Sequence, residues 1–171
     1  SASADLNYSL FIGNNGFGSA PTLPTITSGV ATGNIGIGVG TLTSLIDYGS
    51  YNVSLGHNAG SSITDGDGNV LLGAINVGTG ITTGSYNIGL GSSALRYGAT
   101  GIGNIAIGAS AIKASSGSVL SGDYNTALGY HALQTIQTGD KNVGIGYYAG
   151  GDVAAGTTDS LFIGNDDTAA D

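Results

Sequence analysis

A pattern of alternating apolar and polar positions recurs nine times along this chain. Each copy is a five-residue segment: Asn or Ser, an aliphatic residue or Thr, usually a small residue or Phe, Ile or Leu, and Gly. The segments end at Gly13, Gly38, Gly56, Gly73, Gly91, Gly108, Gly129, Gly146 and Gly164. Most successive terminal glycines are 17 or 18 residues apart, a period typical of one supersecondary unit per repeat. We therefore predict an all-β fold, a parallel β-roll or β-solenoid of about nine rungs.

The two faces of each predicted strand differ in residue size. Alternation with a period of two places the paired aliphatic positions, such as Ile105 and Ile107, on one face, which we expect to point into the core. The residue between them is Leu71 in one interior segment and small in the other six, which have Gly36, Ser54, Gly89, Ala106, Ala127 and Gly144. A solvent-facing position has no need to be small and apolar. We therefore expect this second face to lie against another strand of the same coil or against another chain.

Every interior segment opens with an asparagine. These residues are Asn34, Asn52, Asn69, Asn87, Asn104, Asn125 and Asn142. Asparagine tolerates left-handed backbone conformations, and its amide can bond to the equivalent amide one rung above and below. The recurrence therefore predicts a structural asparagine ladder along the stack.

The two end rungs, residues 9–13 and 160–164, differ from the others in the same way. Both replace Asn with Ser and carry Phe, as Phe11 and Phe162, at the middle position. In one interpretation these phenylalanines cap the open ends of the stack. In the other, the two ends contact each other between chains, so that subunits join head to tail into a filament.

Composition favours a single structural domain over an enzyme-like globule. The repeat extends from near the first residue to near the last, which predicts one domain over residues 1–171. Glycine accounts for 33 residues, and charged residues for only 8%, against about 25% in ordinary globular domains. A net charge of -8 would repel a phosphate backbone, so we expect no nucleic-acid partner. Because no apolar run approaches the length of a membrane span, we also expect no direct membrane insertion.

Signals for catalysis or cofactor binding are weak. Asp65 and Asp67 resemble the first half of a calcium loop and are a weak metal candidate, but Val70 stands where that loop requires Gly, which favours a plain turn. The two histidines lie at different offsets within their rungs and there is no cysteine, so we expect no metal site. We predict a protein that is not an enzyme and that has no cofactor.

The tyrosines are stronger functional candidates. Tyr51, Tyr86 and Tyr124 each precede a ladder asparagine, and one site repeated on successive rungs would form an aromatic stripe. A second group follows rung glycines and is our candidate for glycan binding: Tyr130, Tyr147 and Tyr148. The alternative is that these rings pack on one another across rungs. Specific recognition is otherwise expected in the two irregular loops, residues 14–33 and 113–123.

Residues 125–133 and 142–150, with sequences NTALGYHAL and NVGIGYYAG, resemble the head repeats of trimeric autotransporter adhesins. They are still more similar to related repeats of phage tail-fibre proteins. The resemblance covers residues 34–150, although the rungs here are several residues longer than those of adhesin heads. It implies a parallel β-roll, three chains around a common axis, and attachment at an outer surface.

Together these features predict a structural and attachment segment of an extracellular trimeric fibre, located at a cell surface or on a virion. Its partners would be two further copies of itself and a cell-surface glycan or protein receptor. Two alternatives remain open. One is a self-assembling extracellular filament joined through its end rungs, and the other is a monomeric β-solenoid that binds a lattice or a glycan.

Overall fold

The computed structural model describes residues 8–13, 31–45, 48–98, 100–114 and 120–164. These residues contain nine strands and no helix. The strands are β1 (Leu10–Ile12), β2 (Ile35–Ile37), β3 (Val53–His57), β4 (Val70–Ile75), β5 (Ile88–Leu90), β6 (Ile105–Ile107), β7 (Thr126–Leu128), β8 (Val143–Ile145) and β9 (Leu161–Ile163).

All nine strands form one parallel sheet in sequence order. Equivalent positions of successive repeats are paired, so that Ile105 lies between Ile88 and Thr126. One irregularity occurs, between Leu55 and His57 where β3 meets the longer β4. The predicted parallel β-solenoid is therefore confirmed, with about seven complete turns between β2 and β9. Because the register is regular, each position of the repeat becomes a row that runs along the stack.

The face of each strand that points into the core is the opposite of the predicted one. The middle residue of every interior strand is buried, whereas none of the aliphatic residues that flank it is buried. The prediction that Ile105 and Ile107 face the core is therefore wrong: both are partly exposed, and Ala106 between them is fully buried. Of the two alternatives for the small residues, contact within the same coil is correct, and they are not available for contact with another chain because they are already buried.

The reason for this orientation is the small width of the interior. Large core side chains come from the segment that follows each strand, namely Leu42, Leu95, Ile112 and Leu133, all of which are buried. A Cβ atom added to Gly144 would lie 2.8 Å from Leu133 Cγ. Leu71 reverses the arrangement, since Cβ atoms added to Gly60 and Gly78 would lie 3.0 and 2.7 Å from its Cδ1 atom. A large side chain on one wall is thus accommodated by glycine on the other.

The seven interior asparagines form a continuous hydrogen-bonded ladder inside the coil. Asn104 is representative: its backbone N–H and Nδ2 donate to Asn87 Oδ1 at 2.9 and 3.2 Å, and Nδ2 also donates to Gly122 O at 2.9 Å. Its own Oδ1 accepts from the backbone N–H and Nδ2 of Asn125 at 2.9 and 3.1 Å. Each buried amide is therefore satisfied, which removes the cost that an unpaired polar group would carry in the core.

In the two end rungs, serine takes the place of the ladder asparagine and phenylalanine takes the place of the middle residue of the strand. Ser9 Oγ accepts a hydrogen bond from Asn34 N, and Ser160 N donates to Asn142 Oδ1, so the serines complete the ladder at both ends. Phe11 and Phe162 are partly buried and pack against the core cluster. Their placement corresponds to the capping interpretation.

Candidate interaction surfaces

One face of the sheet is aliphatic and is not buried by the described residues, and we call it the outer face. It consists of the first and third residues of β1, β2 and β5–β9, together with the equivalent residues of β3 (Val53, Leu55) and β4 (Val70, Leu72). Nine strands with two positions each give eighteen residues, of which seventeen are aliphatic and one is Thr126. Eight strand spacings of about 4.8 Å make the face about 38 Å long.

The residue after a rung glycine adds a partial third column to the outer face, and in β4 the register shift places Ile75, two residues after Gly73, opposite His57. This column contains Val39, His57, Ile75, Ser92, Ala109, Tyr130 and Tyr147. Its members are mixed in polarity, unlike the two aliphatic columns, so it forms a border. Two columns of side chains about 38 Å long have a projected area of roughly 400 Å², in the range where apolar patches on monomers are often interaction sites.

At one end of this border lies an aromatic cluster of four residues from two neighbouring rungs: Tyr130, His131, Tyr147 and Tyr148. The rings of Tyr130 and Tyr147 are stacked with centroids 5.5 Å apart, and those of His131 and Tyr148 with centroids 4.8 Å apart. His131 Nδ1 also contacts Gln134 Oε1. The structure therefore brings together the three tyrosines proposed for glycan binding, and it brings them together through cross-rung packing. In the stacked pair each ring covers one face of the other, and Tyr130 and Tyr147 remain 47% and 51% exposed.

Tyr51, Tyr86 and Tyr124 form a separate feature, which we call the tyrosine row. The prediction of a stripe on successive rungs is wrong, because these tyrosines occupy alternate rungs and glycine fills the same position in between: Gly33, Gly68 and Gly103. A Cβ atom added to any of these glycines would lie 2.8 Å from Cδ1 of the following tyrosine. Each ring therefore lies over the glycine of the preceding rung. The three rings remain 59–68% exposed.

The backbone explains why only certain residues occupy this position. The residue before the ladder residue is left-handed in all nine rungs, with φ between 50° and 68°, from Tyr8 to Asp159. Glycine adopts this conformation without strain, whereas tyrosine does so at a cost. A strained exposed tyrosine on every second rung is a feature that the packing of the core does not require.

A row of side-chain oxygens, interrupted by Ile102, runs one residue before the positions of the tyrosine row. Asp67 Oδ1 accepts from Ser50 N at 2.7 Å, and Ser85 Oγ accepts from Asp67 N at 3.0 Å. Asp123 Oδ1 accepts from Ile102 N at 2.7 Å, and Asp140 Oδ1 accepts from Asp123 N at 2.8 Å. These bonds fix the carboxylates next to the tyrosine rings. A second oxygen of each carboxylate can accept a hydrogen bond from a ligand.

The remaining candidate sites have less support from the structure. Asp65 and Asp67 are both partly buried, and within the described ranges no three His, Cys, Asp or Glu residues lie close enough to hold a metal ion. The irregular loops at 14–33 and 113–123 fall largely outside the described residues, which include only 31–33, 113–114 and 120–123 of them. Nor does the described part of the chain contain a helix of the length and hydrophobicity needed to cross a bilayer.

The fold defines the chain as a parallel β-solenoid repeat protein. No protein-family model, curated protein or solved structure matches it. The resemblance to adhesin and tail-fibre repeats therefore stays a prediction, and the function must be argued from the surfaces described above.

Proposed function

We propose that this chain is a structural and attachment segment of an extracellular fibre in which three copies pack their outer faces around a common axis. The observation that supports the proposal is the outer face itself: seventeen aliphatic side chains arranged in two columns, none of which is buried by the described residues. Burial of this face between copies would supply apolar contact that the thin interior of a single coil lacks. The number three comes from the resemblance to trimeric adhesin heads.

The proposal gives the chain a mechanical role and no catalytic one. A coil whose rungs are joined by a parallel sheet and a buried asparagine ladder is suited to hold attachment surfaces along a rigid axis. Its position would be the outside of a cell or virion, with a glycan or a protein receptor as the partner.

The test is the mass of the protein in solution, measured by light scattering and sedimentation over a range of concentrations. A constant threefold mass supports the trimeric fibre. A stable monomer at all concentrations contradicts it and favours the monomeric lattice-binding or glycan-binding alternative.

A matched pair of variants links the mass to the outer face. Ile145, in the outer face, and Ile102, outside it, are each 39% exposed. We expect Ile145→Lys to dissociate the trimer, because a lysine on each copy would face an apolar contact, and Ile102→Lys to leave the mass unchanged. Equal behaviour of the two variants would show that association does not use the outer face.

The head-to-tail filament has one observation in its favour. Among the described residues, the strands β1 and β9 each pair on one side only, so the described stack ends in two unpaired strand edges. Mass that grows without limit with concentration would support this second candidate. In that case a chain shortened by residues 1–13 should lose the polymers and keep the fold of the subunit.

A further inference from the structure

The tyrosine row has a geometry that none of the structural roles described above accounts for. Its three rings have the same environment, since each covers the glycine of the preceding rung with the same 2.8 Å approach of Cδ1 to the added Cβ position. Rings packed identically on equivalent backbone positions of an in-register stack have the same orientation. The row is therefore a set of parallel, outward-facing platforms.

The spacing of these platforms is set by the sheet. Because the tyrosines occupy every second rung, neighbouring rings are two strand spacings apart, about 9.6 Å. The backbone of the row is also fixed, since Tyr86 N donates to Asp67 O at 2.8 Å and Gly103 N donates to Ser85 O at 3.0 Å. Tyr8 occupies the same left-handed position in the first rung and continues the alternation.

An extended, equatorially linked glycan matches this spacing. Each sugar of such a chain advances by nearly the same distance as one strand, about 5 Å, and successive sugars are flipped, so every second ring presents the same edge. Sugar rings stack on aromatic faces through their C–H groups, while their hydroxyl groups require hydrogen-bond acceptors beside the platform. The carboxylates of Asp67 and Asp123 stand in the row next to the tyrosines and can serve as those acceptors.

We propose that the tyrosine row, Tyr51, Tyr86 and Tyr124, binds a neutral β-1,4-linked glycan chain that runs parallel to the axis of the coil, with every second sugar stacked on a tyrosine. The net charge of -8 excludes an anionic polysaccharide as the preferred ligand, because its charges would be repelled along the whole row. This inference rests on the proposed attachment function and gives it a ligand class and a site distinct from the aromatic cluster.

The first experiment is calorimetric titration with three hexasaccharides: cellohexaose and chitohexaose, which are β-1,4-linked, and maltohexaose, which is α-1,4-linked and curved. A six-sugar chain is long enough to cover all three tyrosines, which span four strand spacings, about 19 Å. We expect binding of at least one β-linked hexasaccharide and none of maltohexaose. Absence of binding to both β-linked probes, or equal binding of maltohexaose, would overturn the proposal.

The variant Tyr86→Gly tests the row directly. Glycine is the native residue at this left-handed position in neighbouring rungs, so the substitution keeps the backbone and removes only the ring. We expect a loss of affinity of roughly tenfold, the scale of losing one aromatic stacking platform, and Tyr86→Phe should keep the affinity within about twofold. Tyr48→Gly removes an exposed tyrosine outside the row and should have no effect. Equal losses for Tyr86→Gly and Tyr48→Gly would contradict the site.

A gain of binding provides a second, independent readout. Lys141 and Asp159 occupy the next two left-handed positions, so Lys141→Gly combined with Asp159→Tyr places a fourth packed ring in register with the row. With microcrystalline cellulose or chitin, whichever corresponds to the hexasaccharide that binds and whose chains are longer than the row, we expect a severalfold rise in affinity. An unchanged affinity would show that spacing along the row does not determine binding.

Sedimentation of the same proteins separates this inference from the fibre proposal. If Tyr86→Gly lowers the mass of the assembly, the row belongs to a contact between chains and the glycan site is wrong, while the fibre remains. If the chain is a monomer that binds β-linked hexasaccharides through the row, the glycan site stands and the trimeric fibre is wrong.

Discussion

The inner wall and the outer face of the sheet are built from the same short strands and follow opposite rules. In the seven interior strands the inner wall carries glycine, alanine and serine, with Leu71 as its one large residue, and is buried. The outer face of the same strands carries isoleucine, leucine and valine, with Thr126 as its one polar residue, and is not buried by the described residues. The available space therefore decides which side of these strands is buried, because the coil leaves room for a large side chain only where the opposing residue is small. In a solenoid this narrow, hydrophobicity alone does not identify the core.

The largest effect on stability should come from a substitution in the asparagine ladder. Asn104→Ala removes two acceptor and two donor interactions of a buried amide and leaves Asn125 N and Gly122 O without their partners. We expect the free energy of unfolding to fall by about 4 kcal/mol, since each buried unsatisfied group costs about 1–3 kcal/mol and some relaxation is available. Urea denaturation monitored by circular dichroism measures the change.

Asn58→Gly is the matched control. Asn58 is partly buried, makes one long bond of 3.4 Å to Asn76 Oδ1, and has a φ of 55° that suits glycine. Its loss should cost less than about 1 kcal/mol. Similar costs for the two asparagines would show that the ladder does not stabilise the coil more than a surface amide does.

A large part of the fold is predictable from the sequence, because the period of the repeat fixes the strands and their order. The asparagines could also be placed, since a polar residue repeated inside an apolar pattern requires equivalent partners. Which face of each strand points into the core could not be predicted from hydrophobicity. The small middle residues nevertheless indicate it, as does Leu71, whose size is matched by Gly60 and Gly78.

The candidate surfaces were only partly predictable for a similar reason. The alternation of tyrosine and glycine before the ladder asparagine is visible in the sequence, as Gly33, Tyr51, Gly68 and Tyr86 in successive rungs. Its meaning depends on a left-handed backbone and on a ring that lies over the preceding glycine, and neither follows from residue spacing. The outer face was missed because its residues were assigned to the core.

An intermediate effect should follow from enlarging the inner wall. Ala106 is fully buried, and Ile112 fills the interior of the same rung, so Ala106→Leu should overpack the core and cost about 1–3 kcal/mol in unfolding free energy. Ala154→Leu makes the same change at an exposed site and should stay within about 0.5 kcal/mol. Both are measured by urea denaturation.

The double variant Ala106→Leu with Ile112→Gly sharpens this test. It recreates the pairing of Leu71 with glycine, and Ile112 has a φ of 43° that glycine adopts more easily than isoleucine. Part of the loss should be recovered, which a double-mutant cycle detects as a coupling energy of at least about 0.5 kcal/mol. Additive losses would mean that the two walls do not compete for the same volume.

The smallest effect should come from the single polar residue of the outer face. Thr126 stands between Ile105 and Val143 in an otherwise aliphatic column, so Thr126→Val, which exchanges a hydroxyl for a methyl group of similar size, should strengthen association between chains by about 0.5–1 kcal/mol per copy. Thr126→Ser removes a methyl group from the same contact and should weaken association. Sedimentation equilibrium measures both changes in association. The inner wall gives no reason for either change, because its residues are already buried within each chain. Dissociation constants that stay unchanged in both variants would mean that this part of the outer face is exposed to water in the assembly. The contact between chains would then not include the outer face at β7.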